Sequence, residues 1–124
     1  MTRFLWICAG GAAGTGARYL LSGWALARWG SGYPWGTLAV NVVGSFLLGL
    51  VVQAAPLLSP TLRLSLTTGL MGGFTTYSAF NQETIHYMQN GSWPVAMANV
   101  SGTLIGCLLA GCAGILVGRW IFGG

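Results

Sequence analysis

Residues 69–84, GLMGGFTTYSAFNQET, interrupt the third of four hydrophobic stretches with paired glycines, paired threonines and the only carboxylate side chain of the chain. The adjacent glycines lower helix propensity, whereas Thr75 and Thr76 can cap the start of a new helix. The stretch therefore predicts a third helix that is broken near residues 72–76. In lipid such a break persists only where another group satisfies the freed backbone. The alternative is that the two glycines only allow a close helix crossing.

The composition around this stretch is that of a membrane protein. Of the 124 residues, 54% are hydrophobic and only 5% are charged, which is too few for the surface of a soluble domain of this size. The formal charge of +4 does not indicate nucleic acid as a partner, because no lysine occurs and the arginines are scattered singly, so they form no basic patch.

Four hydrophobic runs have about the length needed to cross a hydrocarbon core of about 30 Å. They predict a single transmembrane domain over residues 1–124, surrounded by lipid, with helices at roughly residues 4–26, 36–55, 63–88 and 94–121. A cleaved leader at the start is less favoured, because the apolar run resumes after Arg18 and completes a span.

Small residues recur at every fourth position of the last run, which lets another backbone approach closely. The stripe comprises Gly102, Gly106, Ala110, Gly114 and Gly118. It predicts tight packing either within one subunit or between two. The arginines near the span ends do not strongly select one orientation across the membrane.

Uncharged polar side chains follow the break, where Thr84 shares a helical face with Tyr77 and Phe80. They recur in the other spans, where Asn41 interrupts an apolar run and Asn99 and Thr103 share one face of the last helix. Such a track suits an anion that loses its water stepwise, although each group taken singly is more often a bond between helices. Placing a carboxylate such as that of Glu83 within a membrane span costs free energy. Glu83 is therefore either functional, paired with His86 or an arginine, or close to the end of its helix. One Glu, one His and no Asp supply no paired-carboxylate or Ser-His-Asp site, so an enzyme is not predicted.

Together these motifs resemble the small bacterial fluoride channels called Fluc or CrcB. The resemblance covers essentially the whole chain and includes Arg18, PWGTLAVNVVG at residues 34–44, the GLMGGFTT break at residues 69–76, and the box YSAFN at residues 77–81 followed by Glu83. It implies a multi-pass protein of the bacterial inner membrane. In that membrane it would form an antiparallel, dual-topology homodimer that exports fluoride passively and holds a structural sodium ion at its centre.

The resemblance also implies roles for individual residues. The backbone carbonyls of Gly72 and Thr75 would hold the sodium ion, Arg18 would draw anions or support the structure, and Glu83 would lie near one end of the path. The fluoride path would be lined by Asn41, Tyr77, Ser78, Phe80, Asn81 and Thr103.

The aromatic box departs from the family pattern FSTFS, because Tyr77 replaces a phenylalanine and Asn81 a serine. The Tyr77 hydroxyl can donate to fluoride or obstruct the path.

Two other functions are weighed against the channel. A small multidrug exporter has its key glutamate in helix 1, where this chain has none. A non-transporting membrane assembly subunit would need only the small-residue stripe and would leave residues 72–83 unexplained.

Overall fold

Every segment of regular structure that is described for the chain is helical. The computed structural model describes residues 1–123, and no strand occurs among them. The helices are α1 (Thr2–Trp29), α2 (Trp35–Ala54), α3 (Pro60–Leu64), α4 (Gly72–Phe74), α5 (Tyr77–Gln89) and α6 (Trp93–Phe122). A 3-10 turn, Ala55–Leu57, follows α2, and a π-helix, Ser65–Met71, joins α3 to α4. The all-helical prediction is confirmed.

Two of the helices are long and apolar enough to cross a membrane. They are α2 with its 3-10 extension, Trp35–Leu57, and α6, with mean hydropathies of 2.0 and 2.1. The large side chains of α6 are exposed on the outside of the chain; Leu104, for example, is 60% exposed and Leu116 64%. Because water does not favour so much exposed apolar surface, this face suits hydrocarbon.

The small-residue stripe of α6 packs against α2 of the same chain. A Cβ atom built on Gly114 would overlap the carbonyl oxygen of Phe46, and one on Gly118 would lie 2.7 Å from the Gln53 side chain. In return, a Cβ atom on Gly49 of α2 would lie 2.6 Å from the carbonyl oxygen of Gly111. Of the two arrangements predicted for the stripe, packing within the subunit is therefore the one observed at these glycines.

The π-helix Ser65–Met71 lies against α1. The Ser65 hydroxyl donates to the carbonyl oxygen of Trp6 at 2.8 Å, and a Cβ atom on Gly10 would overlap the Ser65 carbonyl oxygen. Glycine thus lets the two backbones come into direct contact. The sequence indicated a helix here but not its π geometry, because residues that suit an α-helix suit a π-helix equally well.

The third hydrophobic stretch begins to form helix at Pro60, three residues before the predicted start. The Ser59 side chain caps this helix by accepting a hydrogen bond from the Leu62 backbone N–H at 3.2 Å. The backbone remains helical through the paired glycines, with φ −61° and ψ −37° at Gly72. It leaves the helical region at Thr75, which has φ −84° and ψ 158°.

Candidate functional site

The break consists of two threonines in extended conformation between α4 and α5. Thr75 has ψ 158°, and Thr76 has φ −151° and ψ 114°. The Thr75 N–H and hydroxyl both donate to the carbonyl oxygen of Met71, at 3.0 and 2.9 Å, and so close the preceding helix. The Thr76 hydroxyl accepts from the Ala79 N–H at 3.2 Å and caps α5. The predicted capping role of threonine is thus seen at Thr76.

Asn41 of α2 holds the break open. Its side-chain amide donates to the Thr76 carbonyl oxygen at 2.9 Å, and its side-chain oxygen accepts from the Thr76 N–H at 2.8 Å. Both residues are buried, so these two bonds replace helical partners that an apolar environment could not supply. A tertiary contact therefore satisfies the interrupted backbone.

The bonds made by Thr76 leave carbonyl oxygens at the break without helical partners. In a continuous helix the Gly72 carbonyl would accept from the Thr76 N–H, but that N–H is bound to Asn41. The Thr75 carbonyl would likewise accept from the Ala79 N–H, which is bound to the Thr76 hydroxyl. Within residues 1–123, no hydrogen bond is found from another backbone or side-chain group to either oxygen.

A cavity of about 670 Å³ opens beside the break. It brings together most of the predicted site residues, because Gly72, Thr75, Asn41, Tyr77, Phe80 and Thr103 all line it. Leu48 of α2 and Leu104 and Leu108 of α6 form much of its apolar wall. The cavity thus combines an apolar wall with a few polar groups at the break, as binding sites commonly do.

Two aromatic rings stand at the start of α5. Tyr77 and Phe80 have ring centroids 5.6 Å apart and planes tilted by 57°. The Tyr77 side chain is 77% exposed, whereas Phe80 is half-buried. Aromatic ring edges carry partial positive charge, so rings placed edge-on to a cavity can favour an anion.

A chain of hydrogen bonds connects α5 to α6 behind the cavity wall. Asn99 is fully buried, and its side-chain amide donates to the Thr84 hydroxyl at 3.0 Å. The Thr84 hydroxyl in turn donates to the Phe80 carbonyl oxygen at 2.7 Å. The Thr103 hydroxyl donates to the Asn99 side-chain oxygen at 3.4 Å. Thr103 and Phe80, at opposite ends of this chain, both line the cavity.

Glu83 lies at a second, smaller cavity of about 260 Å³ near the loop between α1 and α2. Its Oε1 accepts from the Thr37 hydroxyl at 2.7 Å, while Oε2 is buried and has no hydrogen-bond partner among residues 1–123. Of the alternatives open for Glu83, a pairing with His86 or an arginine is not seen among residues 1–123, where its partner is Thr37 and His86 is hydrogen-bonded to Asn90. Burial, and secondarily the nearby Tyr87, raises the pKa of Tyr33 in the lining loop.

Besides Glu83, three predicted site residues lie outside the main cavity lining. Ser78 and Asn81 are exposed on α5, and the Ser78 hydroxyl is 3.3 Å from that of Thr76. Arg18 is half-buried on α1, one helical turn beyond the glycine that contacts Phe74. Their roles in an ion path stay predictions.

Sequence reasoning assigned no role to Thr37, whereas it placed Thr84 and Asn99 in the polar track without indicating that the two are hydrogen-bonded to each other. A threonine is common in helices, and nothing in its spacing shows that it will face Glu83 or Asn99. Asn99 carried a usable signal, since an amide in an apolar run lacks water and must find a partner.

Comparison with known proteins gives consistent results along the chain. The family model described as CrcB-like protein, Camphor Resistance (CrcB), matches residues 5–115. A protein of Sorangium cellulosum named fluoride-specific ion channel FluC is 58% identical, and the match covers the whole of both chains. Proteins of the same name from Anaeromyxobacter sp. strain K and Geobacter sulfurreducens are 49% and 48% identical, over 99% and 96% of this chain and 100% and 98% of theirs.

Proposed function

This chain belongs to the CrcB-like family, and on that basis we propose that it is a fluoride-selective channel of the bacterial inner membrane that lets fluoride leave the cell passively. The observation that carries the proposal is identity of 58% over the full chain with a protein named as a fluoride-specific ion channel. An ion channel catalyses no reaction, so no catalytic residues are proposed. The comparisons give no support to a multidrug exporter or an assembly subunit.

The main cavity supplies the chemistry that such a path requires. Fluoride is small and strongly hydrated, so a pore must offer hydrogen-bond donors and positive ring edges in place of water. Phe80 and Tyr77 would present ring edges, and Thr103 would offer its hydroxyl from α6. Ser78 and Asn81, exposed on α5, would extend the path beyond the cavity.

We infer that the working unit is an antiparallel homodimer. The cavity of one chain is open at the surface, and the exposed Tyr77 ring and the exposed leucines of its wall need a covering surface. A second copy would supply that surface and close two equivalent paths. The weak arginine bias permits both orientations in the membrane, which an antiparallel pair of identical chains requires.

We also infer that a structural sodium ion is held at the break. The carbonyl oxygens of Gly72 and Thr75 fit this group, because uncharged oxygens without other partners suit a hard monovalent cation. Gly72 is exposed on the cavity side, where a second copy could add its own carbonyls. The ion would supply a fixed positive charge that satisfies these oxygens.

Fluoride conduction is tested with purified protein in liposomes. Vesicles loaded with fluoride or with chloride are diluted into ion-free buffer, and efflux is followed with ion-selective electrodes. The proposal expects rapid fluoride loss with chloride retained. Equal loss of both ions contradicts selectivity, and no loss of either from folded protein contradicts the channel itself.

The sodium site is tested by repeating the measurement after sodium has been exchanged for a large organic cation. If the ion is structural, the amount of folded dimer is expected to fall after this exchange.

The antiparallel arrangement is tested with the native cysteine in the cavity wall. Cys107 lies at the middle of α6, and Val100 lies about 10 Å from it along the helix and lines the same cavity. In an antiparallel dimer only a mid-helix residue can approach its own copy. A protein that keeps Cys107 as its only cysteine should therefore cross-link to itself. The Val100→Cys variant, in which the three native cysteines are replaced by alanine, should not cross-link to itself. Equal cross-linking at both positions would indicate a parallel pair.

A further inference from the structure

Asn99 lies behind the cavity wall, and Thr103 is the predicted site residue to which its side chain is hydrogen-bonded. Its side chain is 0% exposed and is one of the two largest fully buried side chains. Asn99 does not line the cavity, so it cannot touch an ion there. It does bond to residues on α5 and α6, two of the helices that carry cavity-lining groups.

The direction of every hydrogen bond in this network is fixed. A hydroxyl has one proton, and the Thr84 proton is used in the short bond of 2.7 Å to the Phe80 carbonyl oxygen. Thr84 can therefore only accept from Asn99, which places the Asn99 amide nitrogen toward Thr84. The Asn99 oxygen must then face Thr103, whose hydroxyl must donate to it.

The bond between Thr103 and Asn99 is long. Its O···O distance is 3.4 Å, whereas strong hydroxyl bonds are about 2.7–2.8 Å long. An anion in the cavity is a stronger acceptor, because a charged acceptor forms a bond about twice as strong as a neutral one. The Thr103 proton can therefore turn from Asn99 to the ion at low cost.

We propose that Asn99 is a positioning residue that keeps the Thr103 hydroxyl ready to donate to fluoride in the cavity. This inference rests on the proposed conduction of fluoride. Without the Asn99 oxygen, the Thr103 hydroxyl would donate to the carbonyl of its own helix four residues earlier, as buried threonines commonly do. That backbone acceptor would compete with the ion for the proton.

The test is a double-mutant cycle between Asn99 and Thr103, read as the fluoride concentration that gives half-maximal efflux from liposomes. Asn99→Leu and Thr103→Val are each expected to raise this concentration about tenfold, the effect of one lost bond to a charged group. The double variant is expected to equal Thr103→Val alone, because Asn99 acts only through that hydroxyl. Ser101→Ala, exposed on the same helix, is the matched control and should behave as wild type.

A role confined to packing gives a different result. The Asn99→Leu effect would then persist in the Thr103→Val background, or maximal efflux would fall with the amount of folded dimer, and either result overturns the proposal. If Asn99→Leu does not fold, Thr84→Val serves instead, because loss of the Thr84 hydroxyl frees the Asn99 amide to rotate. The effect of Thr84→Val should likewise vanish in the Thr103→Val background. Wild-type vesicles that release no fluoride would refute the proposed function itself, whereas conducting wild type with additive variants refutes only the role of Asn99.

Discussion

Replacing Asn41 with alanine should destabilise the fold rather than only slow the passage of an ion. The substitution removes both hydrogen bonds to the Thr76 backbone and leaves a buried N–H and a buried carbonyl oxygen at the break. The family resemblance places Asn41 on the fluoride path, but the geometry gives it a second, structural task. The two roles predict different outcomes for the same variant.

The size of the effect follows from the two bonds. An unsatisfied buried backbone group costs about 1–3 kcal/mol, which gives about 2–6 kcal/mol for the pair. Hydrogen bonds between helices in membranes average only about 0.6 kcal/mol, because the unfolded chain also finds partners in the bilayer. Asn41 is only 9% exposed, but it lines the cavity, where water can partly replace its bonds, so we expect a loss near the lower end of this range, about 2–3 kcal/mol in the free energy of unfolding.

The assay is reversible unfolding in mixed micelles, with fluoride efflux measured on the same preparations. Asn81→Ala is the matched control, because Asn81 is an exposed asparagine for which no hydrogen bond is found; its unfolding free energy should equal that of wild type. Asn41→Asp keeps the acceptor for the Thr76 N–H but places an oxygen against the Thr76 carbonyl, so it should destabilise at least as much as alanine. An Asn41→Ala protein as stable as wild type that no longer conducts fluoride would refute the structural role.

Three further predictions concern the site and its support. Phe80→Ile should keep the dimer on size-exclusion chromatography but suppress fluoride efflux, because it removes a ring edge from the cavity; unchanged efflux would exclude Phe80 from the path. Gly14→Ala should lower the unfolding free energy by about 1–3 kcal/mol, because its Cβ would overlap the Leu70 carbonyl oxygen, whereas Gly16→Ala has open space around its Cβ and should be neutral or slightly stabilising. Tyr77→Phe should leave the unfolding midpoint unchanged, since it keeps the ring and removes only the hydroxyl, and it should conduct within a few-fold of wild type because the ring edge remains; loss of conduction would show that the hydroxyl is required.

The sequence predicted features that depend on local residue type. The threonines indicated a helix start at the break because a threonine side chain can cap the residues that follow it directly in the chain. The cluster of Asn41, Phe80 and Thr103 around one cavity came from the family resemblance, since these residues are far apart in the chain.

Tertiary pairings could not be predicted in the same way. Asn41 and Thr76 are 35 positions apart, and nothing in the spacing of either shows that one side chain will replace the helical partners of the other. Likewise, the stripe of glycines on α6 showed that a backbone would approach, but not that it would be α2 of the same chain. Thr37, as the partner of Glu83, is ordinary in sequence and becomes visible only when α2 and α5 are packed together.

The π-helix Ser65–Met71 makes this part of the chain tolerant of a change in length that an α-helix would not accept. Its wider turns accommodate more residues over the same distance than an α-helix would. Deleting one residue there would let the segment relax into an α-helix with little net rotation of the residues that follow, because the π-helix holds the extra residue within about the same turn. Gly73 would still lie against the Gly11 carbonyl, and Gly72 and Thr75 would still line the cavity. During evolution, a single-residue deletion should therefore be accepted between Ser65 and Met71, whereas a deletion within α1 or α6, which turns every later residue of that helix by about 100°, should be selected against.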